Sequence, residues 1–127
     1  MEGGLAGIHE MLGGLVVVAF IVMAILAAIA ATGREIGWIR QASFIAAGLL
    51  ALQYLVGVLL LANGFRNSAE HLVIALLVLI PVGLQHSSTR RLSSQTRNVA
   101  LLSWALAAAL LSVIAYLTGM AGVGVPA

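Results

Sequence analysis

The residues with the most chemical potential are histidines in long apolar stretches. His9 and His71 each lie at the start of such a stretch, and His86 lies at the end of one. A neutral imidazole binds transition metals through a ring nitrogen, and it gains or loses a proton near neutral pH. Two imidazoles on opposite faces of one iron are the axial ligands of a six-coordinate heme. What these side chains can do therefore depends on the elements that position them.

Those elements are predicted to be membrane-spanning helices. The 127-residue chain is 62% hydrophobic and 8% charged, whereas about a quarter of the residues of a soluble domain are charged. Four stretches reach the roughly 20 apolar residues that a helix needs to cross the hydrocarbon core of a bilayer. They cover about residues 8–31, 43–62, 69–86 and 98–117.

The fold class follows from these four stretches. Only helices and closed barrels satisfy every backbone group in lipid, and long runs rich in Leu and Ala without alternation favour helices. We therefore predict an all-α, integral membrane protein with a single domain over residues 1–127. Short loops make neighbouring spans antiparallel, which gives an up-down-up-down four-helix bundle.

Arginine placement predicts the orientation of the bundle. The chain has no lysine, and five of its six arginines lie in or beside the loops after the first and third stretches: Arg34, Arg40, Arg90, Arg91 and Arg97. The positive-inside rule places these loops in the cytoplasm, so both termini and the turn with Arg66 face outward across the inner (cytoplasmic) membrane. Trp38 and Tyr116 fall near predicted interfaces, as in aromatic belts. The first stretch lacks a charged n-region and is too long for a signal peptide, so we expect a permanent span.

Several classes of function are excluded or lack visible machinery. Without cysteine, the chain has no disulfide, thiolate metal site, iron–sulfur cluster or covalent CxxCH heme attachment. The net charge of +2 provides no basic stripe for nucleic acid. No acidic pair, Ser/His/Asp set or phosphate loop is present. Glu10 and Glu70 are each next to a histidine, but adjacent side chains point about 100° apart on a helix, so neither carboxylate faces its neighbour's pocket.

His9 and His71 are predicted to share one site. They lie at the outer starts of the first and third spans, which run in the same direction, so their imidazoles have matched depth and could face one another across the core. This is the geometry that heme b with two histidine ligands requires. Gly13 and Ala75 lie one turn below these histidines, where small side chains would let a flat macrocycle approach.

The second span and the outer turn add further candidates. Gln53 lies in mid-membrane, where it either makes an interhelical hydrogen bond or contacts a cofactor. Gly57 is one turn away and is again small, and Arg66 could pair with a heme propionate. Each candidate has a simpler explanation, because small residues also pack helices closely in lipid and a histidine at a membrane edge is often only an amphipathic end group.

His86 belongs to a different level of the bundle. It follows His71 by 15 residues, about 22 Å along a helix axis, so one metal or heme centre cannot use both. We interpret it as an interfacial residue, and the alternative is a role in proton exchange or on the quinone side. Tyr54 could line a quinone or lipid groove, and Pro81 should kink the third helix.

Together, these residues resemble one four-helix half of the heme A synthase family, whose eight-helix fold is internally duplicated. Residues 8–13 (IHEMLG) look like its His-bearing helix start, 52–60 (LQYLVGVLL) like its Gln-x-x-x-Gly helix, and 69–72 (AEHL) like the start of its second His-bearing helix. The resemblance implies that His9 and His71 ligate a heme. The chain departs from the family in having one half, and in having Leu5 and Ala6 where the active half has a carboxylate, so a retained heme b site is expected rather than heme A synthesis by this chain alone.

Three functional hypotheses follow. The leading one is a membrane b-type cytochrome that carries electrons through one heme b with two histidine ligands, as a subunit or partner of a redox complex, with quinone as a candidate partner in the lipid bilayer. Such ligation leaves no open iron position, which suits electron transfer. The alternatives are a dimer that rebuilds the eight-helix synthase and acts on heme, and a heme-free accessory subunit of a membrane complex. A homo-oligomer is compatible with all three.

Overall fold

The described part of the chain is helical and has four candidate membrane spans. A computed structural model describes residues 2–87 and 93–122, with side chains at 4–87, 93 and 95–121. Its helices are α1 (Glu2–Ala31), α2 (Ile39–Ala62), α3 (Ala69–Leu77), α4 (Leu79–Ser87) and α5 (Ser94–Gly122). α3 and α4 together make up one span. The candidate spans are Gly4–Ala31, Ile39–Ala62, Ala69–Ser87 and Gln95–Ala121. The described ranges contain no strand, and the predicted all-α fold with four spans is confirmed.

The helix ends follow local chemistry more closely than hydropathy. α1, α2 and α5 all extend past the predicted apolar stretches, because a helix can continue into the polar region beyond the hydrocarbon core. Gly33 and Gly64 adopt the left-handed conformation just after α1 and α2, with φ of 94° and 84°, a common way to stop a helix. At the start of α3, the hydroxyl of Ser68 accepts a hydrogen bond from the main-chain N–H of His71 at 3.2 Å, as an N-cap does.

The third span is interrupted one turn before its proline. α3 ends at Leu77 and α4 begins at Leu79, with Val78 between them. Pro81 has no N–H to donate to the carbonyl of Leu77, four residues earlier, and its ring crowds that carbonyl. Pro81 therefore explains the interruption, and the kink of the third helix stays a prediction.

The four spans alternate in direction. α1 packs against α2 and α5, and α5 also packs against α3 and α4. Asn98, near the start of α5, donates to the carbonyl of Ala30 at the end of α1, at 3.1 Å, so these helices are antiparallel. Ser43, near the start of α2, contacts His86 near the end of α4. The start of α1 and the end of α5 consequently lie at the same end of the bundle.

The apolar core lies between two polar ends. Phe20 and Met23 are each 1% exposed, and Val78 is 2% exposed. Fully buried alanines on α1 and α5, including Ala27 and Ala105, allow the close backbone approach that stabilises helix packing in lipid. We call the end with His9 and His71 the histidine end, and the end with Arg34, Arg40 and Arg97 the arginine end.

Candidate functional site

Two imidazoles face one another at the histidine end. The ring centroids of His9 on α1 and His71 on α3 are 6.3 Å apart, and the ring planes are nearly perpendicular, at 84°. Both side chains are half-buried. The structure thus brings together the two histidines that chain direction and depth predicted to meet.

His71 is held in one orientation by α5. Its Nδ1–H donates to the carbonyl oxygen of Ala115 at 2.7 Å. Because a carbonyl oxygen can only accept, Nδ1 must carry the hydrogen, and Nε2 of the neutral ring keeps its lone pair. A backbone carbonyl on the other ring nitrogen is the usual device that orients a metal-ligating histidine. His71 therefore has the tautomer of a ligand that binds through Nε2.

His9 is held less firmly. Its Nε2 lies 3.4 Å from Nε2 of Gln53, beyond the usual range for a strong hydrogen bond. Nδ1 of His9 and Oε1 of Gln53 are buried and have no hydrogen-bond partner among the described residues. A buried polar atom without a partner costs about 1–3 kcal/mol. The contact between α1 and α2 at this end therefore leaves two polar atoms without a hydrogen bond among the described residues.

Glycines allow the helices to close around these side chains. A Cβ added to Gly57 would lie 3.1 Å from Cε1 of His9, and a Cβ added to Gly119 would lie 2.8 Å from Cε1 of His71. A Cβ on Gly13 would lie 3.0 Å from Nε2 of Gln53. Gly13 and Gly57 thus admit polar side chains of the site itself, and their predicted role beside a macrocycle stays a prediction.

α5 supplies the part of the site that sequence reasoning missed. It contributes the carbonyl of Ala115, the backbone of Gly119, and the ring of Tyr116, which would lie 3.2 Å from a Cβ on Gly13. The ring of Tyr116 turns toward α1, and its position near a membrane interface stays a prediction. The spacing of Ser112, Ala115, Tyr116 and Gly119 on one helical face is the signal that could have found this surface.

Other predicted residues take separate positions. Arg66 is exposed in the turn between α2 and α3, at the histidine end, and its pairing with a propionate stays a prediction. The hydroxyl of Tyr54 donates to the carbonyl of Ala75, so this tyrosine ties α2 to α3. Glu10 and Glu70 are exposed, in agreement with the expectation that they turn away from the neighbouring histidines.

Within the described residues, His9 and His71 do not belong to a larger group of metal ligands. In the described part of the chain, no three His, Asp or Glu side chains form a group that could hold a metal ion. A protein-bound zinc ion in a structural site needs four ligands, and this pair supplies two. Two imidazoles on opposite sides of one metal, with bonds of about 2.0 Å, have ring centroids about 6 Å apart, and the rings of His9 and His71 are 6.3 Å apart.

Comparisons with known proteins give no relative from which function could be transferred. No family model matches the chain, and no curated protein and no solved structure matches it. The resemblance to the heme A synthase family therefore stays a prediction, and the site is interpreted from its own geometry.

Proposed function

We propose that the chain is a membrane b-type cytochrome that carries electrons through one heme b, with His9 and His71 as axial ligands. The observation that supports this most directly is the opposition of the two imidazoles at 6.3 Å. The carbonyl of Ala115, which fixes the tautomer of His71, adds the support that a ligating histidine usually has.

Each residue has a defined task in this proposal. His71 would hold the iron through Nε2, and its Nδ1–H bond to Ala115 would make it the more basic ligand. His9 binds through the nitrogen that Gln53 contacts only weakly, at 3.4 Å. Arg66 pairs with a propionate through its guanidinium fork. When bound, heme supplies reversible one-electron chemistry, and the protein supplies position and an apolar surround.

Two occupied axial positions favour electron transfer over oxygen chemistry. Four apolar spans support a bilayer environment, where lipid-soluble electron carriers are found, and we propose a quinone or another membrane redox subunit as the electron partner. The exposed arginines at the arginine end, Arg34, Arg40 and Arg97, support a cytoplasmic position for that end. The histidine end and both termini then face outward from the inner membrane.

A visible spectrum tests the proposal. Protein purified from heme-sufficient cells should give a b-type band in the reduced-minus-oxidised spectrum, and His71→Ala should abolish it. His71→Met, which keeps a ligand, should retain heme at an altered potential if the variant folds. His86→Gln, at the other end of the same span, is the matched control and should keep the full band. A colourless wild-type protein, or full heme retention in folded His71→Ala, would overturn the proposal.

The same preparation separates the alternatives. An oxidised or isoprenylated heme in the extract would indicate a dimeric synthase acting on heme. A colourless protein that co-purifies with other membrane proteins would indicate a heme-free accessory subunit.

A further inference from the structure

A second polar cluster joins α2 to α4 near the arginine end. Ser43 and Gln85 are buried, at 8% and 3% exposure, and His86 is half-buried. Oγ of Ser43 lies 3.0 Å from Nε2 of His86, and Nε2 of Gln85 donates to that Oγ at 2.8 Å. The other ring nitrogen, Nδ1 of His86, lies 2.9 Å from the carbonyl oxygen of Val82. Both nitrogens of this imidazole are therefore engaged.

The direction of these hydrogen bonds follows from one group that can only accept. The carbonyl of Val82 accepts from Nδ1–H, so Nδ1 carries a hydrogen in both protonation states. In the neutral ring, Nε2 has a lone pair and accepts from the hydroxyl of Ser43. The oxygen of Ser43 in turn accepts from Gln85. The neutral state is thus satisfied by a single, directional chain of bonds.

The charged state can be satisfied by the same atoms. A proton on Nε2 would make this nitrogen a donor to Oγ of Ser43, which has room for a second donor beside Gln85. The hydroxyl hydrogen of Ser43 can then turn to the carbonyl of Ile39, one turn earlier, as helical serines commonly do. His86 also lies in the last turn of α4, where the helix dipole favours a cation. Protonation therefore needs only the rotation of one hydroxyl.

We propose that His86 is a proton-binding site at the arginine end, and that Ser43 is the positioning residue that serves it in both states. The side chain exchanges a proton with the aqueous phase while α2 and α4 remain joined. This inference does not depend on heme at the histidine end, because no residue is shared between the two clusters.

Aromatic and charged side chains also lie at this end of the bundle. Phe44 lies beside the imidazole, with ring centroids 5.4 Å apart, and the guanidinium of Arg40 is 5.6 Å from the centroid of that phenyl ring. The other charged side chains described in the loops and helices at this end are exposed: Arg34, Glu35 and Arg97. Those described on α1 and α3, Glu10 and Glu70, lie at the opposite end.

Nitrogen-15 NMR of labelled histidines in lipid nanodiscs tests the proposal. The signal lost in His86→Gln identifies the residue. At high pH it should show hydrogen on Nδ1 and a lone pair on Nε2, and on acidification it should move to the doubly protonated form. In Ser43→Ala both states of the ring lose a bond, but the charged ring loses the stronger one, so proton binding should weaken several-fold.

Two controls keep the result specific. Ser43→Thr retains the hydroxyl and should restore the wild-type titration. Ser103→Ala removes an exposed hydroxyl bonded within α5 and should leave the His86 signal unchanged. Hydrogen on Nε2 in the neutral form would overturn the proposal, as would a titration that Ser43→Ala does not move in protein that stays helical by circular dichroism.

Discussion

Gly119 and His71 are in direct contact between α5 and α3. A Cβ on Gly119 would lie 2.8 Å from Cε1 and 2.9 Å from Nδ1 of the imidazole. That same Nδ1 donates to the carbonyl of Ala115 at 2.7 Å, one turn earlier on α5. Because Gly119 has no side chain, the ring of His71 can lie against the backbone of α5 and donate to the carbonyl of Ala115.

Gly119→Ala should displace this ring. The added methyl group would meet both Cε1 and Nδ1, so the bond to Ala115 would be lost or the two helices would separate. Overpacking of this kind costs about 1–3 kcal/mol. We expect a lower melting temperature by circular dichroism in detergent and, under our proposal, a loss of bound heme. Gly83→Ala is the matched control, because a Cβ there meets nothing within 4 Å, and equal stability of the two variants would contradict the prediction.

Gly57→Ala should act on the other imidazole, with a smaller effect. A Cβ at Gly57 would lie 3.1 Å from Cε1 of His9, and His9 is restrained mainly by a 3.4 Å contact with Gln53. The ring of His9 can therefore move aside more readily than the ring of His71. Gly48→Ala on the same helix meets nothing within 4 Å, and it should be neutral or stabilising because alanine favours helix by about 1 kcal/mol over glycine. A larger loss from Gly57→Ala than from Gly119→Ala would run against this reasoning.

The sequence was sufficient to predict the meeting of His9 and His71, because the direction and rise of membrane-spanning helices are tightly constrained. Bilayer thickness sets the length of each span, and short loops set its direction, so residues at equivalent ends of the first and third spans share a depth. The same reasoning could not find Ala115, which contributes only a main-chain oxygen that every residue has. Gly119 also lies beyond the predicted stretch at about 98–117, whereas α5 continues to Gly122.

The partners of His86 were missed for a different reason. The sequence has no second histidine at that level, so His86 was interpreted as an interfacial group. Its partner is a serine 43 residues earlier. Hydropathy does not determine how the helix that carries this serine is rotated about its axis. Ser43 and Gln85 are ordinary polar residues in a helix, and only tertiary packing distinguishes them from the exposed ones.

Tyr54→Phe should loosen the contact between α2 and α3. The change removes the hydroxyl that donates to the carbonyl of Ala75 and leaves the ring in place. Interhelical hydrogen bonds in membranes contribute about 0.6 kcal/mol on average, and up to about 1.7, so we expect a loss within that range in reversible unfolding with sodium dodecyl sulfate. Thr118→Val removes a hydroxyl bonded within α5, and it should cost less. If the two variants unfold alike, the Tyr54 bond contributes little to helix association.

Ser68→Ala should fray the start of α3. The Ser68 hydroxyl accepts from the main-chain N–H of His71 at 3.2 Å, and the loss of an N-cap costs about 1 kcal/mol. Hydrogen–deuterium exchange at the His71 amide should therefore accelerate. Under our proposal heme binding should weaken as well, because the frayed turn carries a ligand. Ser68→Asp retains an acceptor and should restore protection, and unchanged exchange in Ser68→Ala would exclude a capping role.

Phe20→Ala should destabilise the bundle, but by less than a Phe→Ala change in the core of a soluble protein. Phe20 is 1% exposed at the centre of the core. Since lipid is as apolar as the core, the cost should come mainly from the cavity and the lost packing contacts, and we expect a loss near or below the low end of the 3–5 kcal/mol range for Phe→Ala in soluble proteins.

The matched change on the outer face of the same helix is Val18→Ala. Val18 is 57% exposed, and lipid chains can fill the volume it leaves, so this variant should stay within about 0.5 kcal/mol of wild type. A comparable loss from Val18→Ala would mean that another protein, rather than lipid, covers this face of α1. Size-exclusion chromatography of the two variants would then tell whether that protein is a second copy of the chain, because only the outer-face variant should dissociate it.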